Sequence, residues 1–433
     1  MVATSLALAL LAAVLPAQNT GDKFHVGDSS PSLMLLEQLG NRGVPAGQRQ
    51  EIWSRLADAG GPLPFGDVSS LRSDVRASWL PDYVRCLGRT SHEAVPLLER
   101  YLDSHLAPIR AEAIFAIPQL GGSGGVNIAL RVLRDSEEEN IVRVAALRGL
   151  SRAGSPFSRV EAARRLKTAE GPLLLEAVAT LASRPNPSDI PYLIPLIQRA
   201  PNSRAAGEAV LLLQKLTGYR IGRDARTWTY WMRRYQIEGK AFWREPQPGE
   251  GDLKTLTYLG IPILGDRVVF VLDSSGSMAS PMQERAPLTR GEFAVQALNE
   301  LIPRLPETAL FSLSFFEEKV YALSRGLVSR TPQGLSTAKQ WLRSRRFSGG
   351  TNLFGGLERA FEFDGVEEII LLSDGAPSAG DVLIPSKILS KIRRLNRWRR
   401  IRVSSIGIGV GTSERTFLAQ LAEENQGDIQ FHH

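Results

Sequence analysis

The chain has 433 residues, of which 43% are hydrophobic and 22% are charged. These fractions are typical of globular proteins and exclude wholesale disorder, and the length predicts two or three domains. The single cysteine, Cys86, excludes an internal disulfide framework and cysteine-rich zinc modules. The net charge of +7 comes from 52 Lys and Arg against 45 Asp and Glu. That excess is small for this length and does not indicate nucleic-acid binding.

The N-terminal segment predicts export. Residues 6–16, LALALLAAVLP, are an apolar run that is too short to span a bilayer, which needs about 20 residues. With the small residue Ala17 at the cleavage position, residues 1–17 are typical of a secretory signal peptide. A buried N-terminal helix is the alternative. No other stretch is apolar enough to cross a membrane, so we expect no transmembrane segment. The expected location is periplasmic, envelope-associated or secreted.

A helical repeat is predicted over residues 91–235, after a polar leader and short helices in residues 18–90. Small apolar segments recur with Ala113, Ala146, Ala177 and Ala209 at equivalent positions, spaced by 33, 31 and 32 residues. Another apolar helical segment precedes each of them. A pair of amphipathic helices cannot bury its apolar faces alone, so consecutive pairs are expected to stack. The aligned segments are AEAIFAI (111–117), VAALRGL (144–150), LEAVATL (175–181) and GEAVLLL (207–213).

This region resembles short bacterial HEAT-like repeats, which form an all-α solenoid; an irregular helical bundle is the alternative. Trp228 and Trp231 lie three residues apart on one predicted helix face, and we interpret them as the core of a capping helix rather than a ligand platform. Solenoids usually bind proteins on an extended concave face. A second protein partner on the array is therefore expected.

Residues 236–264 are predicted to be a linker, and residues 265–433 a second domain. Predicted strands at 267–272, 309–316, 367–373 and 401–410 alternate with helical patterns, and the first of them is an apolar run. This alternation predicts a doubly wound, Rossmann-like α/β sheet. Ligands of such sheets bind at the carboxyl ends of the central strands. The last two residues, His432 and His433, are predicted to be a disordered end.

Three polar loops fall at those strand ends: DSSGSM at 273–278, SGGTNL at 348–353 and SDG at 373–375. They resemble the metal-ion-dependent adhesion site (MIDAS) of the von Willebrand factor A family, whose pattern is Asp-x-Ser-x-Ser, then a Thr, then an Asp. The resemblance implies that the two serines bind the metal ion directly, while the first Asp acts mainly through water. The matching residues are Asp273, Ser275, Ser277, Thr351 and Asp374.

The residue types support a divalent cation independently. Mg²⁺ takes six oxygen ligands and retains some of its waters, and these residues offer three hydroxyls and two carboxylates. Mg²⁺ is favoured and Mn²⁺ is possible. With few charged ligands the ion can accept a carboxylate from a partner protein. Gly276, Gly349 and Gly350 are expected to permit tight turns around it. For the Asp-Ser-Ser-Gly-Ser segment alone, a turn with a helix N-cap is the alternative.

Two further signals are interpreted as structural or surface features. Residues 391–402, KIRRLNRWRRIR, contain seven basic residues. This resembles a polyanion-binding patch, but the apolar spacing favours a solvated face of an amphipathic helix. A Ser–His nucleophile is not supported, because the C-terminal domain contains no histidine before His432.

The sequence therefore predicts an exported interaction or adhesion protein, not an enzyme, that binds an acidic residue of a partner through a divalent cation. No nucleic-acid partner is expected. Two alternatives stay open. One is a subunit of a larger assembly, for example beside an ATPase, in which this domain serves for docking. The other is a metal-dependent hydrolase.

Overall fold

The computed structural model describes residues 30–41, 43–238, 256–282 and 287–433. The predicted signal peptide and most of the predicted linker lie outside these residues. The described part forms two compact units, one within residues 1–61 and one spanning residues 62–433. None of the described helices is both long enough and apolar enough to cross a membrane.

The first unit contains two helices, α1 (Pro31–Gly40) and α2 (Ala46–Asp58). Ser30 caps α1 by accepting a hydrogen bond from the amide of Leu33, and Pro31 occupies the first helical position, where its missing N–H costs nothing. The two helices pack on each other through buried leucines and Trp53.

The second unit begins with a helical region that covers residues 65–238. Its longer helices pack in sequence, so that α6 contacts α8, α8 contacts α10, and α10 contacts α12. The aligned alanines lie on these four helices and all four are fully buried. The helices are α3 (Phe65–Ser70), α4 (Leu80–Leu87), α5 (Val95–Arg100), α6 (Ala107–Leu120), α7 (Gly122–Arg134), α8 (Asn140–Arg152), α9 (Phe157–Thr168), α10 (Gly171–Ser183), α11 (Ile190–Arg199), α12 (Arg204–Thr217) and α13 (Ala225–Glu238).

A mixed sheet with helices on both faces follows. Seven of the described strands form this sheet, in the order β5-β4-β3-β7-β8-β9, with β6 also paired to β4. Strands β3, β4, β7, β8 and β9 run parallel, whereas β5 and β6 are antiparallel to β4. The strands are β1 (Thr257–Tyr258), β2 (Ile261–Pro262), β3 (Arg267–Asp273), β4 (Leu310–Phe316), β5 (Val320–Ala322), β6 (Val328–Ser329), β7 (Glu368–Ser373), β8 (Arg402–Ile408) and β9 (Gln426–His432).

The central strands are buried on both faces because two apolar layers enclose them. One layer packs alternate residues of β3 and β4 against α14 and α15, and the other packs the intervening residues against α16, α17 and α18. This is the α/β architecture that the continuous apolar runs predicted. The helices are α14 (Arg290–Leu301), α15 (Pro332–Arg343), α16 (Leu353–Phe361), α17 (Pro385–Asn396) and α18 (Thr412–Glu424).

The end of the predicted linker differs from expectation. Residues 257–262 form the antiparallel pair β1–β2. Tyr258 and Ile261 are buried in the same layer as α14, and the Tyr258 hydroxyl donates to the carbonyl of Ala294. The last residues of the 236–264 segment therefore belong to the core of the α/β domain.

The disordered C-terminus predicted from the two terminal histidines is wrong. Residues 426–432 form the edge strand β9, which pairs in parallel with β8. The ring of His432 bonds through Nε2 with the carbonyl oxygen of Leu259 and packs edge-on against Phe293. Backbone pairing with a buried neighbour orders this segment despite its mixed polar composition.

The basic segment is an internal interface rather than a solvated helix face, so that prediction is also corrected. Three arginines of residues 391–402, spaced three residues apart, pair with acidic residues on α4, α6 and α10. These pairs are Arg394–Asp82, at 2.6 Å, Arg397–Glu112, and Arg400–Glu176, at 3.1 Å. The three carboxylate side chains are almost completely buried. Pairing with the arginines offsets the free energy that these carboxylates lose when burial removes their hydration.

Two further arginines connect the helical region to the amino ends of the strands. Arg204, which is fully buried, donates through Nη1 to the carbonyl oxygens of Glu367 and Arg400. Arg223 donates to the carbonyl of Leu264. Leu264, Glu367 and Arg400 all precede central parallel strands. The helical region therefore covers the amino ends of these strands. The carboxyl ends, where ligands of such sheets bind, are clear of these contacts.

Candidate metal site

The first site loop follows β3 directly. Asp273 is the last residue of this strand and its side chain is fully buried. Its Oδ1 accepts a hydrogen bond from the amide of Ser275 at 2.9 Å, and its Oδ2 accepts one from the hydroxyl of Ser373 at 2.7 Å. Both carboxylate oxygens are therefore fixed by the ends of two adjacent strands.

The two loop serines lie beside the carboxylate that follows β7. Ser275 Oγ and Ser277 Oγ are 3.0 Å apart, and Ser277 Oγ donates to Asp374 Oδ1 at 2.8 Å. Ser277 and Asp374 are 97 positions apart in the sequence, and the parallel pairing of β3 with β7 brings their strand ends together. Ser277 Oγ thus lies within hydrogen-bonding distance of two other predicted ligand oxygens, Ser275 Oγ and Asp374 Oδ1.

The loop of residues 348–353 packs against the loop of residues 273–278. The amide of Gly276 donates to the carbonyl of Gly349 at 3.0 Å, and the amide of Ser348 donates to the carbonyl of Ser274 at 2.8 Å. Thr351, the predicted ligand of this loop, is almost completely buried. Its amide donates to Ser378 Oγ at 2.9 Å, in the loop after Asp374. All five predicted residues therefore lie at one edge of the sheet, on three loops that contact one another.

Glycine is needed at one position of these turns. Gly349 has a φ of +78°, and a Cβ there would lie 2.4 Å from the carboxylate of Glu317. At Gly276, by contrast, a Cβ would make only ordinary contacts with the protein. The expected requirement for glycine thus holds for Gly349 within the protein itself.

Burial dominates the electrostatics of Asp273. The loss of hydration raises the pKa of Asp273 to about 6, against the opposing effect of the hydrogen bonds from Ser275 and Ser373. The nearby charge of Asp374 adds to the rise. Without a cation, the folded protein therefore holds this carboxylate in its ionised form at a cost.

A basic side chain that the sequence motifs did not reveal also reaches the site. Arg290 Nη1 lies 2.8 Å from Asp374 Oδ2. Arg290 is the first residue of α14, and an antiparallel bridge pairs the preceding Thr289 with Pro281. In the sequence, Arg290 appears only as a single arginine after Thr289. That pattern is equally typical of the first residue of a capped helix, so it does not indicate a site residue.

The donor set fits a small hard cation. Carboxylate and hydroxyl oxygens are the ligands that Mg²⁺ takes in proteins. No three described His, Cys, Asp or Glu side chains cluster so as to hold a metal ion. A site here therefore depends on the hydroxyls of Ser275, Ser277 and Thr351 as well as on the two carboxylates.

Comparison with known proteins is consistent with this fold. Residues 266–431 match the family described as von Willebrand factor type A domain. Inter-alpha-trypsin inhibitor heavy chain H2 of Mesocricetus auratus is 30% identical over 175 residues, which cover 38% of this chain and 17% of that protein. Von Willebrand factor A domain-containing protein 3A of Homo sapiens is 27% identical over 171 residues, which cover 38% of this chain and 13% of that protein.

Solved structures give a weaker likeness. A von Willebrand factor type A protein from Catenulispora acidiphila is 21% identical and covers 40% of each chain, with a TM-score of 0.33. The family match, and not this structural likeness, assigns residues 266–431 to a von Willebrand factor type A domain. The chain spans less than a fifth of the length of the relatives named above, and the domain is the part they share.

Proposed function

We propose that residues 265–433 bind a divalent cation, Mg²⁺ first and Mn²⁺ second, and use it to bind an acidic side chain of a partner protein. The observation that carries this proposal is the convergence of Ser275, Ser277 and Asp374, whose side-chain oxygens are separated by 3.0 Å and 2.8 Å in that order. The match to the von Willebrand factor type A domain supports a protein-binding role.

Each residue has a distinct part in this proposal. Ser275, Ser277 and Thr351 offer neutral oxygens, and Asp374 offers a charged one. Asp273 is fixed by Ser275 and Ser373, which suits a residue that orients a bound water. The cation would supply an electrophilic centre that accepts a carboxylate oxygen as a further ligand.

The helical region has a mechanical role in this proposal. We propose that residues 91–235 are a HEAT-like array and that two of its glutamates hold the basic segment 391–402. The glutamates immediately before two of the aligned alanines support this, because Glu112 pairs with Arg397 and Glu176 pairs with Arg400. An array attached to the amino edge of the sheet would present the opposite edge to a partner. A second protein would then bind on the remaining surface of the array.

Export and the absence of catalysis are proposals that rest on the sequence alone. The apolar run 6–16 supports a signal peptide, and N-terminal sequencing of the mature chain tests it; a chain starting at Met1 would contradict export. For catalysis, turnover of a substrate that Ser275→Ala abolishes would favour the hydrolase alternative.

Binding of the metal alone gives the primary test. Isothermal titration of the full chain with MgCl₂ or MnCl₂ should show one site, and saturating metal should raise the melting temperature. The free energy gained is about 2.7 kcal/mol at a metal concentration of 100 times Kd. Asp273→Ala should abolish both effects, whereas Asp381→Ala, an exposed carboxylate in the loop after β7, should retain them. Wild-type protein that binds neither metal would refute the proposal.

A further inference from the structure

We infer that Arg290 sets the charge of the candidate site, so that a divalent cation is held weakly until an anionic ligand joins it. This inference rests on the proposed function and assigns a role to a residue outside the predicted ligand set. It makes the cation and the partner's carboxylate bind cooperatively.

The first observation is how the oxygens of Asp374 are divided. Oδ1 accepts a hydrogen bond from Ser277, on the side of the candidate ligands, at 2.8 Å. Oδ2 accepts one from Arg290 Nη1, also at 2.8 Å. The Asp374 side chain is fully buried in this arrangement. Arg290 thus neutralises Asp374 through the oxygen that Ser277 does not contact, and Oδ1 stays directed at the serines.

The second observation is that Arg290 is held in place by its surroundings. Its amide donates to the carbonyl of Ser280 at 3.0 Å. Thr289 and Glu292 form a reciprocal capping box around the start of α14. At the end of β8, Gly409 has a φ of +61°, and a Cβ there would lie 2.3 Å from Arg290 Nη2. The guanidinium therefore fills a space that is open only because residue 409 is glycine.

The net charge of Asp273, Asp374 and Arg290 determines how strongly the site holds a cation. Asp273 and Asp374 together carry two negative charges when ionised, and Arg290 carries one positive charge. A divalent cation would leave the site with a net charge of +1, whereas without Arg290 the same site would be neutral. Repulsion from Arg290 weakens the binding of the cation. A partner carboxylate removes the remaining charge, so each ligand strengthens the binding of the other, and by linkage the two effects are equal.

Titration calorimetry of the full chain with MnCl₂ tests this, on wild type and three variants. Arg290→Gln removes the charge, and Arg290→Lys retains it. Arg359→Gln is the matched control, because it removes an arginine from the surface of the same domain, where it pairs with Glu362. Arg290→Gln should bind Mn²⁺ about tenfold more tightly than wild type, while the other two variants stay within about twofold.

A second titration measures the coupling, with sodium acetate replacing sodium chloride at equal ionic strength as the carboxylate probe. Acetate should increase the Mn²⁺ affinity of wild type and of Arg290→Lys more than that of Arg290→Gln, after correction for the binding of acetate to free Mn²⁺. Equal gains in all variants would refute the cooperativity.

The sign of the change separates this role from a merely structural one. If Arg290 only positioned Asp374, then Arg290→Gln would bind Mn²⁺ more weakly, and a weaker or unchanged affinity overturns the inference. That result would leave the proposed function standing as long as wild type binds the metal. If neither wild type nor Arg290→Gln binds Mn²⁺, both the proposed function and this inference fail.

Discussion

Replacing Asp273 with asparagine should stabilise the metal-free protein while abolishing its response to metal. Asp273 is fully buried, and its pKa is raised to about 6 because burial removes its hydration. At pH 7 the carboxylate is ionised in both the folded and the unfolded state, but ionisation is less favourable in the folded one. Removing the charge therefore removes an energetic cost of folding.

The size of this stabilisation follows from the rise in the pKa of Asp273. A rise of about two pKa units corresponds to about 3 kcal/mol at roughly 1.4 kcal/mol per unit. The side-chain amide that Asp273→Asn introduces would still accept from the Ser275 amide and could donate to Ser373 Oγ, which must then turn its own proton elsewhere. We assign about 1 kcal/mol to that rearrangement. The expected net gain is about 2 kcal/mol in the free energy of unfolding.

Urea denaturation of the full chain at pH 7 in chelator measures this gain, with Asp381→Asn as the exposed control. The difference between Asp273→Asn and wild type should shrink as the pH falls through 6 and vanish near 4, because the wild-type carboxyl becomes protonated in the folded state first. Saturating Mg²⁺ should reverse the order, since only wild type gains stability from it. An Asp273→Asn variant less stable than wild type in chelator at pH 7 would refute the reasoning.

The interface between the helical region and the α/β domain supports two further predictions. Burial opposes ionisation of Glu176, but the positive charges of Arg400 and Arg148 hold the pKa of Glu176 below its ordinary value. Glu176→Gln leaves these arginines without their carboxylate partner. It should therefore lower the free energy of unfolding by about 3 kcal/mol at pH 7, measured by urea denaturation. Exposed Glu99→Gln should cost less than about 0.5 kcal/mol, and an equal loss in both would contradict the interface reasoning. Trp398 packs on Phe115 and beneath the guanidinium of Arg148. Trp398→Ala should therefore lower the free energy of unfolding by about 3–5 kcal/mol in the same assay and leave the Mn²⁺ affinity unchanged. An altered Mn²⁺ affinity would show that the interface and the candidate metal site are coupled.

The central strands could be predicted because their signal is local. Residues 268–272 and 369–372 are continuous apolar runs, and the structure places β3 at Arg267–Asp273 and β7 at Glu368–Ser373. Once these strands are parallel and adjacent, the loops after them must meet at one edge. The proximity of Ser277 to Asp374 therefore followed from the sequence without knowledge of side-chain positions.

The edge strand β9 could not be predicted in the same way. Strand β9 has the sequence QGDIQFH and is partly exposed along its length, so it shows neither an apolar run nor strict alternation. It begins at Gln426 with a φ of +59°, a conformation that sequence patterns rarely reveal. What orders β9 is pairing with β8, and such nonlocal pairing leaves little trace in a single sequence.

The basic segment shows a different kind of limit. Its arginines were visible in the sequence, and so were their acidic partners Asp82, Glu112 and Glu176. Their complementarity was not inferred, because the partners are between 224 and 312 residues apart in the three pairs that join the two regions. A charged run with an apolar stripe has the same pattern whether its counter-ions are solvent ions or buried carboxylates.

Strand β7 shows how the interface and the candidate site are related in space. It is buried along its whole length, starts beside Glu367, which Arg204 contacts, and ends at Ser373, which holds Asp273. Six residues of strand span about 20 Å, which places the two sets of contacts at opposite ends of one rigid element. The helical region can therefore fix the orientation of the site without covering it. Under the proposed function, a partner would approach from the carboxyl ends of the strands, opposite the contacts with the helical region.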